Sequence, residues 1–417
     1  MKTWLNHWMA GTAERENRAM PAGPFVLADF TPRPATQLLI LQPTPFCNLD
    51  CDYCYLPQRD SRARMSLDTV KLAAQRVLED GLLGPELTVV WHAGEPLAVP
   101  VDFYRQAFGI FDQLLSGRCR VSHSIQTNAT LIDAHWCELF SQHRVRVGVS
   151  VDGPAAINDS HRKTRQGKGS FAQVQRGMAA LRHHGVPFHV IAVVTADSLP
   201  HARLLHDFVL EQGIGEIGFN FDEAEGTHAD SSLRGREAEH RRFFEQLLAL
   251  QLQSADRYRV RELANALSLI QHGLPRYCWR GRDWPMNAQT LPFAIVTVAW
   301  NGDFSTFSPE LLGQPAAEFD NFVLGNVHCG GFLQAAERPA FARLWEGILA
   351  GTAVCRRSCG YFNYCGGGAP ANKWFENGGL DSGETLYCRS MLIRPFETVL
   401  QALEREAAGQ AGSGEQL

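Results

Sequence analysis

The chain has 417 residues, 45% of them hydrophobic, which is enough for a large catalytic domain with an appendage. Its 39 basic and 44 acidic residues give a formal charge of -5 without long single-sign blocks, which argues against a nucleic-acid groove or a polybasic membrane patch. No stretch reaches the roughly 18 to 20 apolar residues that cross a bilayer, and the start MKTWLNHWMAGTAEREN lacks the order of a signal peptide, so a cytoplasmic location is expected.

From about residue 38 short apolar runs alternate with helix-period segments. The strand-like runs are LLILQPT (38–44), ELTVVWHA (86–93), RVSHSIQTN (120–128), RVRVGVSVDG (144–153), PFHVIAVVTA (187–196) and EIGFNFDE (216–223). Each of the first five precedes an amphipathic stretch, for example SLDTVKLAAQRVLEDG with Ser66 as its cap. Strict β/α alternation predicts an α/β fold with a parallel sheet. Ligand-type residues at the strand ends favour a partial (β/α)6 TIM-type barrel, with a doubly wound sheet as the alternative.

The barrel is assigned to 36–228. Residues 229–274 read as a helical bridge. Residues 275–400, rich in glycine, proline and cysteine, read as a loop-rich domain that a metal centre would stabilise. Residues 401–417 read as a flexible tail. Eleven cysteines in a reducing compartment are better explained by thiolate ligation than by disulfides.

Cys47, Cys51 and Cys54 place three thiols within eight residues, directly after the first strand-like run. A zinc ion would want a fourth ligand nearby, and no other cysteine or histidine lies in that loop; a zinc or redox loop is the competing reading. On a [4Fe-4S] cluster, three thiolates leave one iron open for a small molecule.

The CxxxCxxC spacing after the first strand resembles the radical S-adenosylmethionine (SAM) enzymes over roughly residues 36–225. The resemblance implies SAM on the open iron and a 5'-deoxyadenosyl radical that abstracts hydrogen. Ala93-Gly94-Glu95-Pro96 resembles the GGEP motif of that family with alanine for its first glycine. Gly94 would let backbone approach the ligand, and Glu95 would accept from a cationic amine. Ser150 and Arg162 resemble the family's ligand-contacting serine and carboxylate-binding arginine, with Arg165 competing for the latter role. Tyr53 matches the aromatic residue near adenine. Gln126, Thr127 and Asn128 face the same mouth.

Cys355, Cys359, Cys365 and the later Cys388 would close a second [4Fe-4S] cluster completely, with a four-cysteine zinc ribbon as the alternative. This region resembles the SPASM extension of peptide-maturing radical enzymes, with two departures. The first gap is three residues rather than two, and Ala369 stands where the next cysteine is expected. Phe307 and Ser308 occupy the place of a further upstream cysteine. One auxiliary cluster is therefore expected, with Cys278 and Cys329 as remnants of another site; Cys119 and Cys137 read as inert buried thiols.

The segments FSPELLG, FVLGNV and CGGGAPANKWFENG most resemble cyclophane-forming peptide maturases. That resemblance implies a precursor peptide as substrate, a crosslink from an aromatic ring carbon to a nearby Cβ, and an external flavodoxin- or ferredoxin-like electron donor. Glu310 is the candidate base. A sulfatase-maturase-like enzyme, a thioether-forming enzyme and a peptide-binding scaffold without turnover are the alternatives. The roughly 36 residues before the first strand are too few for a complete leader-binding domain, which directs precursor recognition to the barrel rim, the bridging helices or a separate protein.

Overall fold

A computed structural model describes residues 23–255 and 257–413. A short β1 (Phe30–Thr31) precedes β2 (Thr36–Leu41), α1 (Leu67–Glu79), β3 (Leu83–Trp91), α2 (Val101–Leu115), β4 (Arg120–Thr127), α3 (Ala134–Gln142), β5 (Arg146–Ser150), α4 (Ala155–His161), α5 (Phe171–His183), β6 (Phe188–Val194), α6 (Ala202–Glu211) and β7 (Glu216–Phe221). There follow α7 (Glu237–Gln253), β8 (Arg259–Val260), α8 (Arg261–His272), β9 (Arg276–Trp279), β10 (Arg282–Pro285), β11 (Ile295–Val298), β12 (Asp303–Thr306) and β13 (Gly325–Asn326). The chain ends in α9 (Pro339–Ser358), α10 (Phe362–Cys365), α11 (Pro370–Asn377) and α12 (Arg394–Ser413).

The six strands read from sequence, β2 to β7, lie in chain order in one parallel sheet. Covered on both faces, such strands carry continuous apolar runs: Leu39, Ile40 and Leu41 of β2 are all buried. Helix α1 starts where Ser66 caps it, its side chain accepting from Thr69 N at 3.0 Å, and buries Val70, Ala73, Ala74 and Val77 against the sheet.

The sheet extends beyond those six strands at both edges. On one side β8 pairs with β7; on the other β11 pairs in parallel with β2, Ile295 to Val298 opposite Leu38 to Leu41, and antiparallel β12 and β13 continue it. The C-terminal region is thus built into the sheet through a strand of its own. A separate ribbon joins β1, β9 and β10. The expected tail is also revised: α12 continues past residue 401, because LQALEREAA is dense in strong helix formers. Residues 1–22 and 414–417 lie outside the described residues. No helix among the described residues is long and apolar enough to cross a membrane.

Candidate active site

A cavity of about 980 Å³ opens where β2 to β7 end. Its walls include Cys47, Cys51 and Cys54 from the loop after β2, and Cys365 and Cys388 from the C-terminal region. The residues that follow each strand point their chemistry into this one space, as in barrels whose sites lie at the strand C-termini.

Burial pushes the Cys47 thiol up to about 12, with Glu95 adding to the effect, and Cys51 up to about 11 against the opposing pull of Arg162. Left alone, thiols so desolvated stay protonated and inert; a metal–sulfur centre supplies the positive charge that makes them thiolates. Among the described residues no group of three or more His, Cys, Asp and Glu is gathered tightly enough for a single metal ion. Three half-buried thiols on a cavity wall suit a three-thiolate cluster with one open iron.

The motif after β3 bends sharply. Gly94 has φ +58°, and a Cβ there would lie 2.4 Å from Thr44 O and 2.5 Å from Phe46 O, so glycine lets this turn nest against the backbone leading to Cys47. Ala93, where the family motif has glycine, is held at φ +75°. The buried Glu95 carboxylate accepts from Leu97 N (2.9 Å) and Thr127 Oγ1 (2.7 Å) through Oε1, and from Asn128 N (2.8 Å) through Oε2. Burial raises its pKa to about 6, with these hydrogen bonds pulling the other way. Thr127 and Asn128, only loosely placed from sequence, are the residues that aim Glu95. Asn128 Nδ2 also reaches Asn48 Oδ1 at 2.8 Å and Cys47 Sγ at 3.9 Å, tying β4 to the cysteine loop.

After β5 the structure adds a residue that the sequence reading passed over. Asp152, fully buried, accepts from Tyr53 Oη (2.6 Å) and Val193 N (2.8 Å) and pairs with Arg162 at 2.9 Å. Burial opposes the charge of Arg162, but Asp152, Tyr53 and Cys51 together outweigh it and raise the guanidinium pKa; among the described residues its Nε is buried without a partner. Arg162 lines the cavity, whereas Arg165 braces the cysteine loop from outside, donating to Cys47 O at 2.8 Å and Arg59 O at 2.5 Å. Ser150, on the cavity wall, accepts from Gln126 Nε2 at 2.7 Å. The signal that marks Asp152 in sequence is its place directly after an apolar strand, where a buried carboxylate must find partners.

In the C-terminal region Cys388 and Cys355 lie close enough to Cys365 to raise its pKa, and Cys355 acts likewise on Cys388, burial being the larger effect on Cys365, which reaches about 12, and on Cys388. Cys359 caps α9 with its backbone N–H on Cys355 O at 2.9 Å, and its charge acts on Tyr361. Gly366, Gly367 and Gly368 all have positive φ and fold the chain around Cys365 Sγ, to which Gly368 N donates at 3.2 Å. The set suits a thiolate-ligated cluster that stands beside the same cavity.

The residues that stand where the SPASM pattern has further cysteines, Ala369 and Phe307-Ser308, lie close together. Ser308 Oγ accepts from Ala371 N at 3.2 Å, two residues beyond Ala369, while Phe307 is fully buried, its ring stacked on Phe341 and Trp345. Aromatic packing and a hydroxyl fill the place of the absent cysteines. Cys278 lies on β9 opposite Thr31 and Asp283, and Cys329 lies exposed after β13, on separate parts of the fold. Cys137 is buried in α3; Cys119, before β4, is half-buried.

Glu310 lines the cavity with Glu223, Glu225 and Tyr55. Burial raises Glu310. It also raises Glu223, to about 8, although Asn372 Nδ2 donates to that carboxylate at 2.5 Å. Apart from its own backbone N–H, the Glu310 carboxylate has no hydrogen-bond partner among the described residues.

The radical SAM superfamily model matches residues 41–205. An uncharacterized protein of Synechocystis is 39% identical over 390 residues, 92% of this chain and 96% of that one. A serine-type anaerobic sulfatase-maturating enzyme of Klebsiella aerogenes is 33% identical over 178 residues, 42% of this chain and 44% of that enzyme, so this match spans less than half of either. Among solved structures, anSMEcpe with bound AdoMet and Cp18Cys peptide superimposes with a TM-score of 0.69 at 21% identity, covering 90% of this chain and 99% of that one. Streptococcus suis SuiB bound to its precursor peptide SuiA gives 0.60 at 17% identity, covering 85% and 76%. At those identities the likeness is one of fold.

Proposed function

The chain belongs to the radical SAM superfamily, and from that premise we propose that it crosslinks a ribosomally made precursor peptide, joining an aromatic ring carbon to the Cβ of a nearby residue. When bound, the cluster and SAM supply a 5'-deoxyadenosyl radical that removes one hydrogen atom from the peptide. Cys47, Cys51 and Cys54 would ligate that cluster. Glu95, held by Thr127 and Asn128, would take the amine of SAM, and Arg162 its carboxylate, with Ser150 and Tyr53 lining the remaining wall. Cys355, Cys359, Cys365 and Cys388 would hold one auxiliary [4Fe-4S] cluster, and a flavodoxin- or ferredoxin-like donor would bring electrons from outside.

Closing a ring–Cβ bond after that abstraction releases one further electron and one proton. Glu310 takes the proton: it faces the cavity, no neighbour's donor among the described residues occupies its carboxylate, and burial lifts its proton affinity toward that of a useful base. The observation that carries the reading is that three cluster-type thiols, two thiols of the second site and this carboxylate line one cavity. Solved structures of the same fold, one holding Cp18Cys peptide and one SuiA, support a peptide substrate.

The test is anaerobic reconstitution followed by co-expression with short peptides encoded beside the gene. The expected outcome is formation of 5'-deoxyadenosine and loss of two hydrogens from an aromatic-containing peptide. Cys51→Ala should abolish SAM cleavage, while Cys365→Ala should keep some cleavage, lose the crosslink and lose roughly four irons per chain. Formylglycine in the peptide instead would assign the chain to sulfatase-maturase chemistry, and no cleavage at all would leave a binding scaffold.

A further inference from the structure

Lys373 and Arg162 are the buried Lys and Arg side chains among the described residues; Lys373, on α11, is 3% exposed. Its Nζ donates to Cys355 Sγ at 3.4 Å, and no carboxylate lies within ion-pair distance of it among the described residues. A buried ammonium whose hydrogen-bond partner is a thiol is costly unless that sulfur carries negative charge. Two of the other three thiols of the set are also met by donors: Thr385 Oγ1 donates to Cys388 Sγ at 3.2 Å, and Gly368 N to Cys365 Sγ at 3.2 Å.

The first cysteine loop is arranged differently. Two cations beside it are paired, Arg162 with Asp152 at 2.9 Å and Arg59 with Asp50 at 2.9 Å, and buried Glu95 adds a negative charge near Cys47. One site therefore faces an unmatched positive charge, the other a carboxylate.

We propose that Lys373, with Thr385, holds the auxiliary centre at a higher reduction potential than the SAM-binding centre, so that the electron released on crosslinking has an acceptor beside the cavity. The physical basis is direct. One added electron makes a thiolate-ligated cluster more negative by one charge, and an adjacent ammonium and hydroxyl donor stabilise that reduced form. The inference rests on the reading that Cys355, Cys365 and Cys388 ligate a cluster; Lys373 is a tuning residue and touches neither peptide nor SAM in this role.

The experiment is a potentiometric titration followed by electron paramagnetic resonance on the reconstituted full chain, with iron counted for each sample. Lys373→Met, nearly isosteric and neutral, should leave iron content unchanged and move the midpoint of the second signal to lower potential. Thr385→Val should shift it the same way by less. SAM cleavage should persist in both while crosslinked product falls. An unchanged midpoint in a fully loaded Lys373→Met protein overturns the inference while leaving the auxiliary cluster in place. Should that variant lose its iron, Thr385→Val decides, and an unshifted midpoint there overturns it too. A parent protein with only one cluster's worth of iron defeats the auxiliary-cluster reading itself, and the inference with it.

Discussion

The phenol of Tyr53, inside the first cysteine loop, donates to Asp152 Oδ2 at 2.6 Å across 99 residues of chain. The loop is therefore tethered to the end of β5 by the same carboxylate that neutralises Arg162. Tyr53→Phe removes the donor and leaves one oxygen of a fully buried carboxylate short of a partner. The expected cost is about 1–3 kcal/mol in urea unfolding of the iron-free protein; a change below a few tenths would show that water replaces the phenol.

Gly94→Ala should be severe, since its Cβ would meet two backbone carbonyls at 2.4 and 2.5 Å at a positive φ. A loss on the order of 2–4 kcal/mol is expected, together with poorer iron uptake, because those carbonyls belong to the segment entering Cys47. Ala93→Gly should go the other way. Relief of the strain at φ +75° exceeds the entropy cost of glycine, giving a gain of about 0.5–1 kcal/mol in thermal melts.

Glu95 carries a sign that can be checked. Its pKa rises on folding from 4.5 to about 6, so the folded state holds the proton more tightly. The associated stability is fully present below pH 4.5 and is lost as the pH climbs through 6, by about 2 kcal/mol. Comparing the iron-free parent with Glu95→Gln in urea melts from pH 4 to 7 isolates this contribution. A constant difference between the two across that range would contradict the assigned burial.

For Glu310→Gln, the base assignment predicts undiminished 5'-deoxyadenosine formation and crosslinked product down by about 100-fold or more. Equal losses of both products would mean instead that Glu310 helps to seat the peptide.

Legibility in the sequence followed the range of the interactions. The alternation of apolar runs and helical segments is local, and β2 to β7 emerge near where periodicity puts them. The cysteine spacings are likewise local. What escaped was set by distant partners: Asp152 gains its meaning from Tyr53 and Val193, and Thr127 and Asn128 from Glu95. The C-terminal region looked separate because its glycines and cysteines break periodicity, yet IVTV (295–298) is a four-residue apolar run that finds its place only once β2 exists. The helix through residues 401–413 was masked by small residues that read as a tail.

The pairing of β11 with β2 has a consequence for biosynthesis. Until the ribosome has passed Val298, the strand feeding the first cysteine loop keeps one apolar flank open, with Leu38 to Leu41 offering unsatisfied amides to any passing strand. A nascent or truncated chain ending at the compositional border near residue 274 would be an aggregation hazard rather than a working half.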